Sequence, residues 1–253
     1  MIDAPAAPKA NGLTTVVNTI VAPQEAFETL RLVPMWGWAF IITFALFALG
    51  TLLEAPTTQH VNYIQTQHMV ATSSLFANMT PAQKQQALAR AAHPGTTGSI
   101  LPIVFGSIGV LLVALLNTVI LLIGNAVGKG QANFKRLFCG SMNIAVPTFG
   151  LYTLVNAAII AVRGPTSFNS MSDILHAVPG LGMFGPAGSV VTTGFLSGIN
   201  IFTLWGLFLN ATLLIVMARV AKPVAWTTAV VILFFGAAVS SSFIALAHSF
   251  GAV

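Results

Sequence analysis

Apolar positions in this chain run in long uninterrupted blocks. Five segments stand out because they carry no charge: residues 36–53, 100–123, 137–162, 194–218 and 224–247. Each is long enough to cross about 30 Å of hydrocarbon at about 1.5 Å per residue. Hydrocarbon offers no water to backbone N–H and C=O groups, so each block is expected to be helical. The alternation of a membrane β-barrel is absent. The expected fold is all-α: a polytopic integral membrane protein with five transmembrane helices in a domain over 36–247.

The polar stretches between the blocks carry their own helical signals. In "TPAQKQQALARAA" (80–92), Thr80 can cap, Pro81 suits the first helical position and Gln83 can complete a capping box. "HPG" (93–95) ends it, and the mixed stretch 57–76 is expected to be helical as well. Residues 54–99 therefore read as a helical external loop.

Before the first block, residues 13–35 read as an amphipathic segment. Wound as a helix, 23–33 puts Ala26, Phe27, Leu30 and Val33 on one side. Gln24, Glu25, Glu28 and Arg31 fall on the other. Pro23 suits the start, the acids sit early and Arg31 late, as the helix dipole favours, and Pro34 discourages continuation. Upstream, Leu13, Val16, Val17, Ile20 and Val21 repeat at helical spacing. An interfacial helix docked on lipid or on the protein's own loops is expected, with Trp36 and Trp38 at headgroup level. Residues 1–12, which lack the basic and apolar regions of a signal peptide, are expected to be a disordered tail, and 248–253 a C-terminal tail.

Composition narrows the class further. Hydrophobic residues make up 56%, charged residues only 6%, and the mean hydropathy is +0.87. A soluble domain carries about 25% charged residues, so a water-soluble surface is excluded. The net charge of +5 comes from bases spread over the loops, which points to bilayer orientation rather than nucleic acid. The loop at 124–136 holds Lys129, Lys135 and Arg136 with no acid, and 219–223 holds Arg219 and Lys222 with none. The loop at 163–193 balances Arg163 with Asp173. The positive-inside rule then gives a cytoplasmic N-terminus and an external C-terminus; the expected location is the cell (inner) membrane, as a multi-pass protein.

Reactive chemistry is sparse. "GNAVGKG" (124–130) has three residues, not four, before its Gly-Lys pair and lacks the following Ser or Thr, so it reads as a helix end and turn rather than a phosphate loop. His60, His68, His93 and His176 have no ligand-type spacing. The lone Cys139 excludes an intramolecular disulfide. No ionisable group lies well inside a span, and Glu54 and His248 border theirs, which counts against proton-coupled transport and membrane hydrolysis. No catalytic residue, cofactor or metal is expected. The spans do contain Asn117, Asn143, Asn156, Asn200 and Asn210. These amides serve either as interhelical hydrogen-bonding groups or as the lining of a polar path. Pro147 and the glycines at 180, 182, 185 and 188 suit broken segments or an external loop.

Three stretches resemble the Yip-type (Ypt/Rab-interacting-protein domain) membrane family, in particular its bacterial branch. "IVAPQEAFETLRLVPMW" is similar to the family's opening motif at Pro23, Phe27, Arg31, Pro34 and Trp36. "GKGQANFKRLFCGSMNIAVP" is similar at Gly128, Gly130, Phe134, Lys135 and Pro147. "INIFTLWGLFLNATLLIVMARVAKPVAW" resembles a D-x-F-x-x-W helix at Phe202 and Trp205, with Asn200 in the acidic position. The motifs occur in order over about residues 16–235. The resemblance implies a five-helix membrane protein with a cytoplasmic N-terminal segment. Eukaryotic relatives are traffic adaptors for small GTPases, and bacterial ones look like accessory proteins, some linked to ABC-type export systems. The expected function is a non-enzymatic adaptor or accessory subunit supporting transport, export or trafficking. Its candidate partner surface is Glu25, Phe27, Glu28, Arg31, Lys135 and Arg136. The expected partners are the bilayer and another membrane protein, such as an ABC-type export system; homo-oligomerisation stays open. The alternative is a small-solute or ion transporter or channel using an Asn-lined path.

Overall fold

The computed structural model describes residues 11–93, 95–175, 177–186 and 189–249. The expected tails fall largely outside these residues, as does His176. Among the described residues there is no β-strand, only one isolated bridge between Gly180 and Asn200. The helices are α1 (Gly12–Val21), α2 (Pro23–Leu32), α3 (Gly37–Thr72), α4 (Pro81–Ala92) and α5 (Gly95–Val127). They continue with α6 (Phe134–Ala145), α7 (Tyr152–Arg163), α8 (Met171–Leu175), α9 (Val190–Ser197), α10 (Ile201–Val216) and α11 (Lys222–Ser249). Four stretches, Gly37–Thr72, Ile100–Val127, Phe134–Arg163 and Lys222–Ser242, are helices long and apolar enough to cross a membrane. The chain is a helical, multi-pass membrane protein.

The boundaries differ from those the sequence predicts. The block at 194–218 is not one helix. It breaks at 198–200, where Gly198 packs so close to α11 that an added Cβ would stand 2.8 Å from the Ala237 Cα. Asn200 then starts α10 afresh. Its Oδ1 accepts from the Phe202 and Thr203 amides at 3.0 and 3.2 Å, and the Thr203 hydroxyl accepts from the Asn200 amide. α3 does not stop at residue 53 but runs through Pro56 to Thr72, so Glu54 lies inside a helix. The capping box of α4 is present as expected, with Gln83 N–H on Thr80 Oγ1 and Thr80 N–H on Gln83 Oε1.

Between α6 and α7 the helix widens into a π-helical turn, Val146–Leu151, with Pro147 inside it. Proline removes one backbone donor and crowds the preceding turn, and a widened turn accommodates both. α3 packs along α7 and this turn, α5 lies against α6 and α11, and α10 lies against α11. The largest core cluster gathers at one end of the bundle. It contains Phe27, Leu30, Leu121, Leu137, Leu209, Leu213, Leu214 and Met217. Fully burying a side chain such as Phe27 or Leu30 stabilises by about 1.5–3 kcal/mol.

Of the apolar residues that repeat along α1, Val16 turns inward together with two threonines. Thr15, Val16 and Thr19 are buried, whereas Val17 and Val21 are 51% and 71% exposed. The threonine hydroxyls donate to the carbonyls of Asn11 and Thr15 one turn back, which lets polar side chains occupy the inner face. Val33, grouped by periodicity with Phe27 and Leu30, is exposed because α2 ends at Leu32 and the chain leaves the helix there.

Candidate functional site at the basic end of the bundle

The end that holds α1 and α2 also holds two short connections, residues 128–133 and 217–221. α5 ends at Val127, and Gly128 N–H closes on the Gly124 carbonyl at 2.9 Å. The reversal that follows is carried by Lys129 at φ 52°, not by a glycine. Gly130 follows because its Cα faces backbone: a Cβ there would meet the Ala218 carbonyl at 2.9 Å. Asn125 clamps the loop from inside, donating to the Ala132 carbonyl at 3.0 Å and accepting from the Ala132 amide at 3.3 Å. Gln131 N–H then bonds the Ala218 carbonyl at 2.8 Å, tying the two connections together. The second reverses at Arg219, φ 57°, and Val220 N–H returns to the Leu214 carbonyl at 3.0 Å. Two bases thus hold left-handed conformations that glycine normally takes.

Charge here is arranged against the usual helix preference. Asn133 caps α6 through its bond from the Arg136 amide at 3.1 Å, and the first turn then carries Lys135 and Arg136 with no acid. Lys222 opens α11, again with no acid in the first turn. Cations are disfavoured at helix N-termini, where the dipole is already positive.

α2 closes this end. Phe27 and Leu30 are 0% exposed among Leu137, Leu213 and Met217. Phe27 therefore anchors α2 rather than facing outward. Glu25, Glu28 and Lys135 are exposed, while Arg136 is half-buried. Arg31 is also half-buried, and its Nε is enclosed with no hydrogen-bond partner. Pro34 lies in the extended link to α3, and the Met35 carbonyl accepts from Asn143 Nδ2 at 3.2 Å. Trp36 sets its ring edge-on to Phe138 at 5.8 Å.

The five intramembrane asparagines do not converge. Asn117 and Asn210 meet, with Asn117 Nδ2 donating to Asn210 Oδ1 at 3.0 Å and to Ser141 Oγ at 3.2 Å. Thr118 Oγ1 joins Ser141 Oγ at 3.0 Å, and Asn210 Nδ2 bonds the Gly206 carbonyl. The cluster links α5, α6 and α10 and leaves Asn117 Oδ1 enclosed without a partner. Asn143 binds the Cys139 and Met35 carbonyls. At the far end Asn156 donates to Glu54 Oε1 at 2.9 Å and to the Ile174 carbonyl, and accepts from the Val178 amide. Asn200 is a helix cap. Of the motif aromatics, Phe202 meets Tyr152 edge-on at 5.7 Å and Trp205 stacks on Phe208.

A groove of about 400 Å³ between α9 and α11 is lined by Val191, Thr192, Phe195, Leu196, Ala238 and Ser241, with no asparagine. Among the described residues no three His, Cys, Asp or Glu side chains gather as a metal site. Asn125, Thr118, Ser141 and Glu54 are absent from the sequence-derived set. Asn125 had one available signal, an amide placed where an uncharged block meets a glycine-rich loop. No family model, curated protein or solved structure matches the chain.

Proposed function

We propose that the protein is a non-enzymatic membrane adaptor or accessory subunit that presents a rigid cytoplasmic platform to another membrane protein. In this reading the chain crosses five times, with α9 and α10 together forming the fourth crossing, and the basic end is cytoplasmic. The observation that carries it is the fastening of α2 and the two stitched loops. Phe27 and Leu30 are sunk in the core while Glu25, Glu28 and Lys135 stay exposed. Ordering a surface in advance lowers the entropy lost when a partner binds. The reading rests on the resemblance to the bacterial accessory branch of the Yip-type family, whose motif positions here are Pro23, Phe27, Pro34 and Trp36 at this end and Pro147 in the π-helical turn. An export assembly of the ABC type is the partner class this suggests.

A solute path would need the amides to line one cavity. Their bonds to one another and to helix backbone favour a structural role instead. The adaptor reading is tested by photo-crosslinking in native membranes from positions 25, 28 and 135. All three should capture the same membrane protein, and a control position at Lys84 should not. Three positions that capture nothing, or three unrelated proteins, would sink the proposal.

A further inference from the structure

α1 and α2 follow one another in the chain but present opposite surfaces. α1, GLTTVVNTIV, holds no charged residue, whereas α2 holds Glu25, Glu28 and Arg31. Leu13, Val17 and Val21 recur at four-residue spacing, which sets them in one stripe along α1, and all three are exposed. Thr14 and Asn18 border that stripe on one flank. The inward threonines, Thr15 and Thr19, spend their hydroxyls on carbonyls one turn back. On α2 the order is reversed: Ala26, Phe27 and Leu30 are buried, and Gln24, Glu25 and Glu28 are exposed. A helix whose outer side faces water keeps polar and charged residues there, as α2 does and α1 does not.

The two helices also sit on different parts of the bundle. α2 packs on α6 and α10 beside their termini, with Leu137 in the first turn of α6 and Met217 just past the end of α10. α1 packs on α2 and on α3, and Val16 shares a core cluster with Ala39 of α3 and Met142 of α6. Gly12 lies so close to the start of α3 that an added Cβ would stand 2.6 Å from Trp38 Cδ1. Trp38 in turn opens an exposed apolar row on α3 that continues through Ile41 and Phe44. α3 is one of the helices long and apolar enough to cross a membrane, so this row is a surface that hydrocarbon covers. Through Gly12 and Trp38 the stripe of α1 is continuous with it.

We infer that α1 lies in the margin of the leaflet at the basic end, with Leu13, Val17 and Val21 against lipid acyl chains, and that the boundary with water runs between α1 and α2. The N-terminal segment is then two elements in two solvents. Lipid covers the outer side of α1, while α2 keeps its acids in water. Lipid is the occupant because the stripe extends a face that the bilayer already covers. The inference does not rest on the adaptor reading, since α1 meets lipid whether or not α2 meets a partner.

The test uses the full chain with Cys139→Ala, reconstituted in vesicles of dioleoylphosphatidylcholine and dioleoylphosphatidylglycerol. One nitroxide label at a time is placed at position 13, 17, 21, 25, 28 or 41. Collision with oxygen, which concentrates in hydrocarbon, is compared with collision with a water-soluble nickel chelate. Labels at 13, 17 and 21 should show an oxygen-to-nickel ratio raised towards that of position 41 and above those of 25 and 28. Ratios equal to those at 25 and 28 would place the stripe in water and overturn the inference. Low collision with both reagents would also overturn it, because a second copy of the chain would then cover the stripe. If a label disturbs folding, Val17→Asp in the unlabelled chain decides. Val17 stands outside the core clusters, so this change should lower the thermal midpoint in vesicles only if the side chain meets lipid. An unchanged midpoint would put Val17 in water and sink the proposal.

Discussion

Asn117 Nδ2 donates to Asn210 Oδ1 across 3.0 Å, although the residues stand 93 positions apart in the chain. The bond joins α5 to α10, and Ser141 brings α6 into the same cluster. Interhelical hydrogen bonds in membrane proteins average about 0.6 kcal/mol, because the amides also find partners in the unfolded, membrane-bound state. Asn210→Ala should therefore destabilise the bundle by only about 1 kcal/mol, and its double-mutant coupling to Asn117→Ala should be about 0.6 kcal/mol. Reversible unfolding in mixed detergent micelles measures both. Strict additivity would mean the bond contributes nothing.

Phe27 and Glu28 are neighbours with opposite environments, one 0% exposed and the other on the surface. Phe27→Ala should cost about 3–5 kcal/mol, through lost burial and the cavity left beside Leu137 and Met217. Glu28→Ala should stay within about 0.5 kcal/mol of the parent. Spin labels near the N-terminal segment should become mobile in the first variant only. Equal mobility in both would show that α2 is not held by its apolar side.

Lys129 and Arg219 hold φ values of 52° and 57° in adjoining loops. Glycine has no Cβ to crowd the carbonyl in that region, but it loses more freedom on folding. Lys129→Gly and Arg219→Gly should each stabilise by about 0.5–1 kcal/mol net, seen as a raised thermal midpoint. A lowered midpoint would show that the bases make contacts worth more than the backbone strain.

Cysteine labelling checks which side each end occupies. The native Cys139 is fully buried, so a Cys139→Ala background with single cysteines at 129 and 84 gives clean signals. Position 129 should react only from the cytoplasmic side and position 84 only from the other. Reaction of both from one side would overturn the proposed orientation.

Much of the local structure is legible in the residues themselves. Thr80, Pro81 and Gln83 start α4 through bonds made within one turn, and Pro23 starts α2 by its fixed backbone angle. The scarcity of charge dictates helices in a membrane, since lipid leaves backbone groups no other partners. The tertiary structure decided what those helices face. Gly198 against Ala237 and the Asn200 cap break an apolar block that looks continuous. Arg31, grouped by periodicity with two exposed acids, has its Nε enclosed. α1 turns Thr15, Val16 and Thr19 inward and leaves Val17 out, although Val17 is the more apolar choice beside two threonines. In water, hydrophobicity separates inside from outside. In a bilayer both the protein interior and the surrounding lipid are apolar, so the pattern marks which segments leave water but not which face of each meets its neighbours. Packing shape and long-range hydrogen bonds such as Asn117 to Asn210 make that choice.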